Sequence, residues 1–395
     1  MSFPGTAVQH VLLLGGGHAH VHVLQHLAQQ PLAGAQVTLV SPFERQMYSG
    51  MVPGLVAGHY SAQDCVIPLR PLASAAGVKF IQSRAVSLDA AARRVTLADG
   101  SELGYDLLSL DTGAVIHRDA LPGARQHALF VRPIENFVQQ LDALWARAAQ
   151  RRLDIALIGA GAAGVELALA LQYRLGRAGS GVNMTLVTGG PAPLAGYPPA
   201  VMSRVRKALA RHGVAVMRQG AAAIEADAVV LADGTRLPCD AAVLATGAQA
   251  PRWLAGSGLA LNAQGFVVTT ATLQSCSHAE VFAVGDVATR QDTPHAKSGV
   301  YAVRAGPPLA LNLRQAVAGL PLQPHVAPTR TLNLVSCGDR SAIAAWGEWS
   351  AQGRWVWWLK DRIDRQFVAA YSTTAETTAA AAAAAAATQA PNREA

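Results

Sequence analysis

Cysteine is scarce in this chain. Four thiols, Cys65, Cys239, Cys276 and Cys337, are spread over 395 residues, and no two stand at C-x-x-C or other metal-ligand spacing. That argues against a disulfide framework and a zinc ribbon, and a reducing cytosol is the simplest compartment. Charge is sparse too. Only 14% of residues are Asp, Glu, Lys or Arg, and the net +7 is scattered without a run of five or six basic residues. Mild attraction to anionic surfaces is expected; nucleic acid is not an expected partner. The opening "MSFPGTAVQH" has no charged segment followed by an apolar one, so no export signal is expected. One stretch, "DIALIGAGAAGVELALALQY" (Asp154 to Tyr173), mimics a membrane span, but its glycines and Glu166 fit a strand–turn–helix better.

What is present is material for packed cores. Hydrophobic residues make up 51% of the chain, and the length suggests two or three domains. The run "HVLLL" (His10 to Leu14) reads as a parallel strand buried on both faces. It ends in Gly15, Gly16 and Gly17, and Val21, Leu24, Leu27 and Ala28 then recur at helical spacing. "AQVTLV" (Ala35 to Val40) reads as the next strand, completing a βαβ unit of mononucleotide-binding length. Gly15 permits the tight exit from the strand and Gly17 lets backbone approach a pyrophosphate, which the free N–H groups of the helix then face. A third glycine is expected where His20 stands; at 100° per residue His20 falls near the buried stripe, so the helix must stand off the strand. His18, His22 and His26 are four apart, a metal-capable spacing, but no Cys or carboxylate nearby completes a shell, and no metal is expected. His18 is placed to touch the phosphate and the other two are expected to face solvent.

"LDIALIGAGAAGVELALAL" (Leu153 to Leu171) is a second such turn, with Gly159, Gly161 and Gly164 all in place. "VNMTLVTGG" (Val182 to Gly190) supplies its second strand. Neither second strand ends in the carboxylate that usually binds an adenosine ribose. Two readings of the second unit therefore stay open: an NAD(P)-binding site, and a Rossmann-shaped domain that has lost nucleotide affinity.

Two dinucleotide units around a strand-rich stretch resemble the pyridine nucleotide-disulfide oxidoreductase superfamily, the glutathione-reductase-like flavoproteins. Further stretches carry the resemblance. "DLLSLDTGA", with Thr112 and Gly113, and "DAAVLATGA", with Thr246 and Gly247, are similar to the two strand–TG crossovers between domains. "VFAVGDVA" is similar to the second flavin motif, which implies close approach at Gly285 and a ribityl contact from Asp286. "KSGVYAVRAGPPLALNL" (Lys297 to Leu313) resembles the helix facing the flavin's pyrimidine edge, which implies roles for Lys297, Ser298, Gly299 and Val300. Gly15, Gly16, Gly17, His18 and Ala19 would hold the pyrophosphate of FAD, and Pro53 lies in a stretch that by resemblance passes near the isoalloxazine. Within the superfamily the chain resembles type II NADH dehydrogenases and sulfide:quinone oxidoreductases. It is most similar to the flavoprotein module fused to selenophosphate synthetase in some proteins, through "GGGHAH", "YSGMVPGLVAGHY" and "WVWWLKDRIDRQF"; with no kinase-like domain here, a stand-alone version is expected. By the same resemblance Glu166, just after the second turn, would approach the nicotinamide; its other reading is a carboxylate stabilised by the helix dipole. The family's CxxxxC is missing, so a thiol–disulfide relay is not expected.

The expected fold is α/β: two Rossmann-like FAD/NAD(P)-binding domains with a small α+β C-terminal module. The FAD domain is expected over 1–120 and 255–330, the NAD(P)-binding-like domain over 121–254, the terminal module over 331–371 and a low-complexity tail over 372–395. "RPIENFVQQLDALWARAAQ" reads as a helix, and "DG" at Asp99–Gly100 as a hairpin turn. In the terminal module a "QG" turn is expected at Gln352–Gly353, before a helix. Five of seven tryptophans fall there, beside Lys360, Arg362 and Arg365. This suits a membrane interface; closure over the flavin, or a homodimer contact, are the alternatives. The function expected is an FAD-dependent oxidoreductase taking electrons from NADH or NADPH to a quinone or other acceptor, cytoplasmic or peripheral on the inner face of the membrane. The alternatives are a sulfide or selenium-compound oxidoreductase that does not use NAD(P)H, and a non-catalytic flavin-binding module.

Overall fold

The computed structural model describes residues 8–177, 181–190 and 192–388. Two five-stranded parallel sheets dominate it. In the first, the order is Val281–Ala283, Leu107–Leu110, Gln9–Leu14 (β1), Ala35–Ser41 (β2) and Lys79–Gln82. In the second it is Ala128–Phe130, Ala241–Leu244, Leu153–Ile158, Val182–Val187 and Ala215–Met217, again all parallel. Each sheet has at its centre the strand that runs into a glycine turn.

The unbroken apolar run of β1 has a plain cause. Val11 and Leu13 enter the core on one face of the sheet, Leu12 and Leu14 the core on the other, and all four are essentially solvent-free. Between β1 and β2 lies helix α1 (His18–Gln29), with Val21, Leu24 and Leu27 buried on the sheet. The second unit repeats the plan, with helix Ala162–Gly176 after strand Leu153–Ile158. Helix Ile134–Gln150 buries Phe137, Leu141 and Leu144, one per turn.

Small antiparallel sheets hang from each unit. Strands Arg94–Leu97 and Glu102–Gly104 are joined through Gly100 at φ +82°, and strands Ala228–Leu231 and Arg236–Pro238 through Gly234 at φ +84°. The terminal module is a three-stranded antiparallel sheet, Asn333–Ser336, Ala342–Trp346 and Trp349–Gly353, followed by the helix Arg354–Thr388. Its hairpin turn is at Gly347–Glu348, where Gly347 takes φ +56°. The expected turn at Gln352–Gly353 is instead the end of the last strand. The low-complexity tail, for which disorder or a fraying helix is expected, continues the terminal helix as far as Thr388; its last seven residues lie outside the described part. No described helix is long and apolar enough to cross a membrane.

Candidate functional site

The first glycine turn is built by crowding. Gly15 leaves β1 at φ +91°, and a Cβ there would stand 2.7 Å from the Asp111 carbonyl carbon. A Cβ on Gly17, the N-cap of α1, would overlap the Asp111 carboxyl. Beneath the turn runs a groove of about 880 Å³. From Gly15, Gly16 and Gly17 it passes Thr112 and Gly113 towards Asp286 and Gly299, and in the other direction reaches Ser41, Arg84 and Trp253.

His20 does not obstruct it. The imidazole is fully buried between α1 and the sheet; its Nδ1 donates to the Gly15 carbonyl at 2.6 Å, and its Nε2 accepts from the Ser109 hydroxyl at 2.8 Å. The ring thus fills the space that a glycine would leave closed, and burial holds its pKa at about 4, so it is neutral. The faces of His22 and His26 differ from expectation. Both are half-buried, because helix Gly299–Val317 lies along them: a Cβ on Gly306 would stand 2.8 Å from the His22 Cβ, and Arg314 depresses the His26 pKa after burial. That helix comes from far downstream, which is why local periodicity misplaced them.

The groove's inner end is polar beneath and aromatic above. His18 contacts Gln46 Nε2 through Nδ1 at 3.0 Å, lies 3.4 Å from the Ser49 hydroxyl through Nε2, and stacks on Phe367 at 5.9 Å between centroids. Tyr48 also stacks on Phe367, at 4.5 Å. Arg132 spans the groove to Asp286 at 3.0 Å. Two buried polar atoms of the wall, Thr112 Oγ1 and Gln46 Oε1, have no hydrogen-bond partner among the described residues. A glycine-lined trough with orphaned polar atoms and an arginine-rich outer end suits an extended, anionic dinucleotide such as FAD.

Behind the inner end, next to Ser49, the ammonium of Lys360 is held by Asp364 at 2.5 Å and by the Gly50 carbonyl at 2.6 Å. The Tyr48 hydroxyl bonds Asp364 as well. Glu166 joins this cluster from the second unit. Its Oε1 accepts the Ser336 N–H at 2.8 Å, and burial lifts its carboxyl to about 7 against the pull of Lys360. A carboxyl poised there can hold or release a proton near neutrality.

At the second turn, a Cβ on Gly164 would overlap the Gly159 carbonyl oxygen, so helix and strand touch there as the glycine motif implies. Gly161 meets nothing within 4 Å, leaving its outer side open. Thr188 Oγ1, at the end of strand Val182–Val187, is buried without a partner among the described residues. Thr246 follows Ala245, whose carbonyl a Cβ on Gly159 would strike; Gly247 has open space.

Of the residues singled out by sequence, Gly15, Gly16, Gly17, His18, Thr112, Gly113, Asp286 and Gly299 line one groove. Ala19 and Gly285 lie one layer behind, both against Asp111. Ser298 caps helix Gly299–Val317, whose second residue is Val300. Lys297 donates to the Ala288 carbonyl and sits 4.0 Å over the Phe266 ring, so its ammonium is turned into the wall. Pro53 is buried within helix Val52–Val56. Gly159, Gly161, Gly164 and Glu166 gather at the second turn. Sequence reading gave no role to Asp111, Arg132 or Phe367, and it set Lys360 among the cations of a membrane interface, whereas the structure buries that ammonium against Asp364. Asp111 had a signal: an acid ending the otherwise apolar strand "LLSLD".

Cys65, Cys239 and Cys337 are buried, and burial raises their thiols to about 12, 11 and 12. They are held as thiols. The exposed Cys276 lies beside Gln291.

Residues 9–306 match the family described as pyridine nucleotide-disulphide oxidoreductase. Over 243 residues, 58% of this chain, it is 29% identical to an NADH dehydrogenase-like protein of Mycobacterium tuberculosis. That match spans 60% of the mycobacterial protein's length. Over 296 residues it is 27% identical to a demethylphylloquinone reductase of Synechocystis, covering 71% of this chain and 72% of that one. The solved sulfide:quinone oxidoreductase of Aquifex aeolicus superposes with a TM-score of 0.77 at 21% identity, covering 93% and 92% of the two chains, a likeness of fold alone.

Proposed function

The chain belongs to the pyridine nucleotide-disulphide oxidoreductase family, and we propose that it carries two electrons from NADH or NADPH, by way of FAD in the first groove, to a quinone. The observation that carries the reading is the groove of about 880 Å³ walled by Gly15, Gly16, Gly17 and Gly113; Ser49 lines it, and the next residue, Gly50, holds the Lys360 ammonium that Asp364 pairs and Glu166 senses. Bound FAD supplies the two-electron chemistry that links nicotinamide donor to quinone acceptor. The residues of this chain do the rest. Gly15 to His18 would present backbone to the pyrophosphate, and Arg132, paired with Asp286 at 3.0 Å, would hold that carboxylate in place for a ribityl hydroxyl. Gly161 leaves the second turn open for the donor's diphosphate. Phe367 and Tyr48, packed on each other and on the groove-lining His18, would shield the inner end from water. Reduction of a quinone to a quinol consumes two protons; the hydride donor brings one, and Glu166, with its carboxyl near 7, is suited to pass the second from solvent.

The acceptor side rests on the terminal helix. Trp355, Trp358, Leu359 and Ile363 are exposed there, next to Arg354 and Arg362, with Trp346 and Trp349 exposed on the adjoining hairpin. Indoles interleaved with arginine suit the headgroup layer of an anionic membrane, where quinones reside. A homodimer contact through the same face is the competing use, and sedimentation with and without anionic vesicles separates the two.

Chemistry through a cysteine, the basis of the sulfide or selenium alternative, finds no support in three buried thiols with raised pKa values. The test is anaerobic stopped-flow absorbance near 450 nm. Bleaching by NADH or NADPH, with recovery on adding a short-chain quinone, is expected. Bleaching by sulfide alone would establish the alternative, and a flavin inert to every donor would leave a binding module.

A further inference from the structure

The amides at the N-terminus of α1 are already engaged. Asp111 Oδ2 accepts the N–H of Ala19 at 2.8 Å and the N–H of His20 at 3.0 Å. The carboxyl enters from the end of strand Leu107–Leu110, the strand beside β1, and is enclosed by three glycines. A Cβ on Gly17 would overlap it, one on Gly285 would stand 2.7 Å from its Oδ1, and Gly15 packs on its backbone. Asp111 also forms part of the groove wall and is 3% exposed. It therefore sits at the helix terminus where a pyrophosphate is to be received, in the position of an anion at an anion site.

Two negative groups cannot share that place without a proton between them. We propose that Asp111 is a direct ligand of the bound dinucleotide's pyrophosphate and acts as a carboxylic acid, taking up one proton from solvent as the cofactor enters. This rests on the reading of the groove as the FAD site. In the flavin-free protein the ionised carboxylate caps α1 through two N–H bonds. In the loaded protein the acid form keeps one oxygen on those amides and offers the O–H of the other to phosphate.

The surroundings favour such a change. Among the described residues no cation is paired with Asp111. From α1 it is faced by His20, neutral and committed to Gly15 and Ser109, and by the neutral His18. Across Gly285 it is faced by Asp286, whose charge disfavours a second carboxylate; Arg132 and Lys297 act on Asp286. Leu69, which closes over Gly16, brings no charge. Burial, then Asp286, raise the Asp111 carboxyl to about 7, even though the two N–H bonds pull it down.

The test is calorimetric titration of FAD into full-length protein stripped of flavin, in buffers of different ionisation enthalpy at pH 8 and pH 6. From a starting value of about 7, roughly 0.9 proton is taken up at pH 8 and roughly 0.1 at pH 6. Affinity falls close to tenfold per pH unit above neutrality. Asp111→Asn, which keeps an amide carbonyl for the two N–H groups, abolishes uptake and flattens the pH dependence. His18→Asn retains the pH 8 uptake, whatever it does to affinity, because a histidine starting near 4 would have to be raised past pH 8 by the cofactor to bind a proton there. Binding of FAD without uptake at pH 8, or uptake that survives Asp111→Asn, overturns the inference while leaving the groove's reading intact. A wild-type protein that binds no FAD at either pH overturns both.

Discussion

Replacing His20 by glycine would give the first turn the three-glycine spacing of the second, yet the structure predicts a large loss of stability. The ring is fully buried and hydrogen-bonded at both nitrogens. Without it the Gly15 carbonyl and the Ser109 hydroxyl lose a partner, at about 1–3 kcal/mol each. The cavity left by a buried ring adds about 2 kcal/mol. The expected cost at pH 7.5 is about 5 kcal/mol. It is also pH-dependent, because the folded pKa of about 4 lies below the ordinary value of 6.5. The neutral ring's contribution is complete above pH 6.5 and is lost as pH falls towards 4; by pH 5 the wild type has given up about 2 kcal/mol through this group. The gap between wild type and His20→Gly should therefore narrow from about 5 to about 3 kcal/mol between pH 7.5 and pH 5. Urea unfolding followed by far-ultraviolet circular dichroism measures it. A gap below about 1 kcal/mol at pH 7.5, or one that does not narrow, refutes the reasoning.

Two further outcomes are expected. Lys360→Met strands the buried Asp364 carboxylate and should cost about 3–5 kcal/mol, most of it recovered in the double variant Lys360→Met/Asp364→Leu; equal losses in single and double variants would deny the pairing. Gly164→Ala drives a methyl group into the Gly159 carbonyl. It should slow bleaching by NAD(P)H more than about tenfold with flavin content unchanged, and an unaltered rate would show that the second turn does not bind the donor.

Both βαβ units were legible because their information is local. A strand buried on two faces must be apolar throughout, and a strand that turns at once into a helix must have glycine where its carbonyls crowd. The "DG" turn at Asp99–Gly100 was legible for the same reason. The terminal hairpin was misread because two glycines, Gly347 and Gly353, compete within one short stretch, and strand pairing across Trp346 and Trp349 decides between them. What escaped was contact between distant segments. Phe367 stacks on His18, and helix Gly299–Val317 covers the histidine face of α1. No window of the sequence contains both members of either pair. Asp111 was visible as an acid after an apolar strand, but its meaning comes from the amides of α1, which lie 91 and 92 residues away in sequence.

The placing of the tryptophans has a consequence for optical work on this protein. Four of the seven, Trp346, Trp349, Trp355 and Trp358, are more than half exposed in the terminal module, and a fifth, Trp357, lies beside them. Near-ultraviolet emission from the folded chain should therefore be dominated by solvated indoles at long wavelength. It will brighten or shift blue when that module meets lipid, and stay almost silent when either parallel sheet comes apart. A fluorescence melt would report the fate of the appendage rather than that of the two cores.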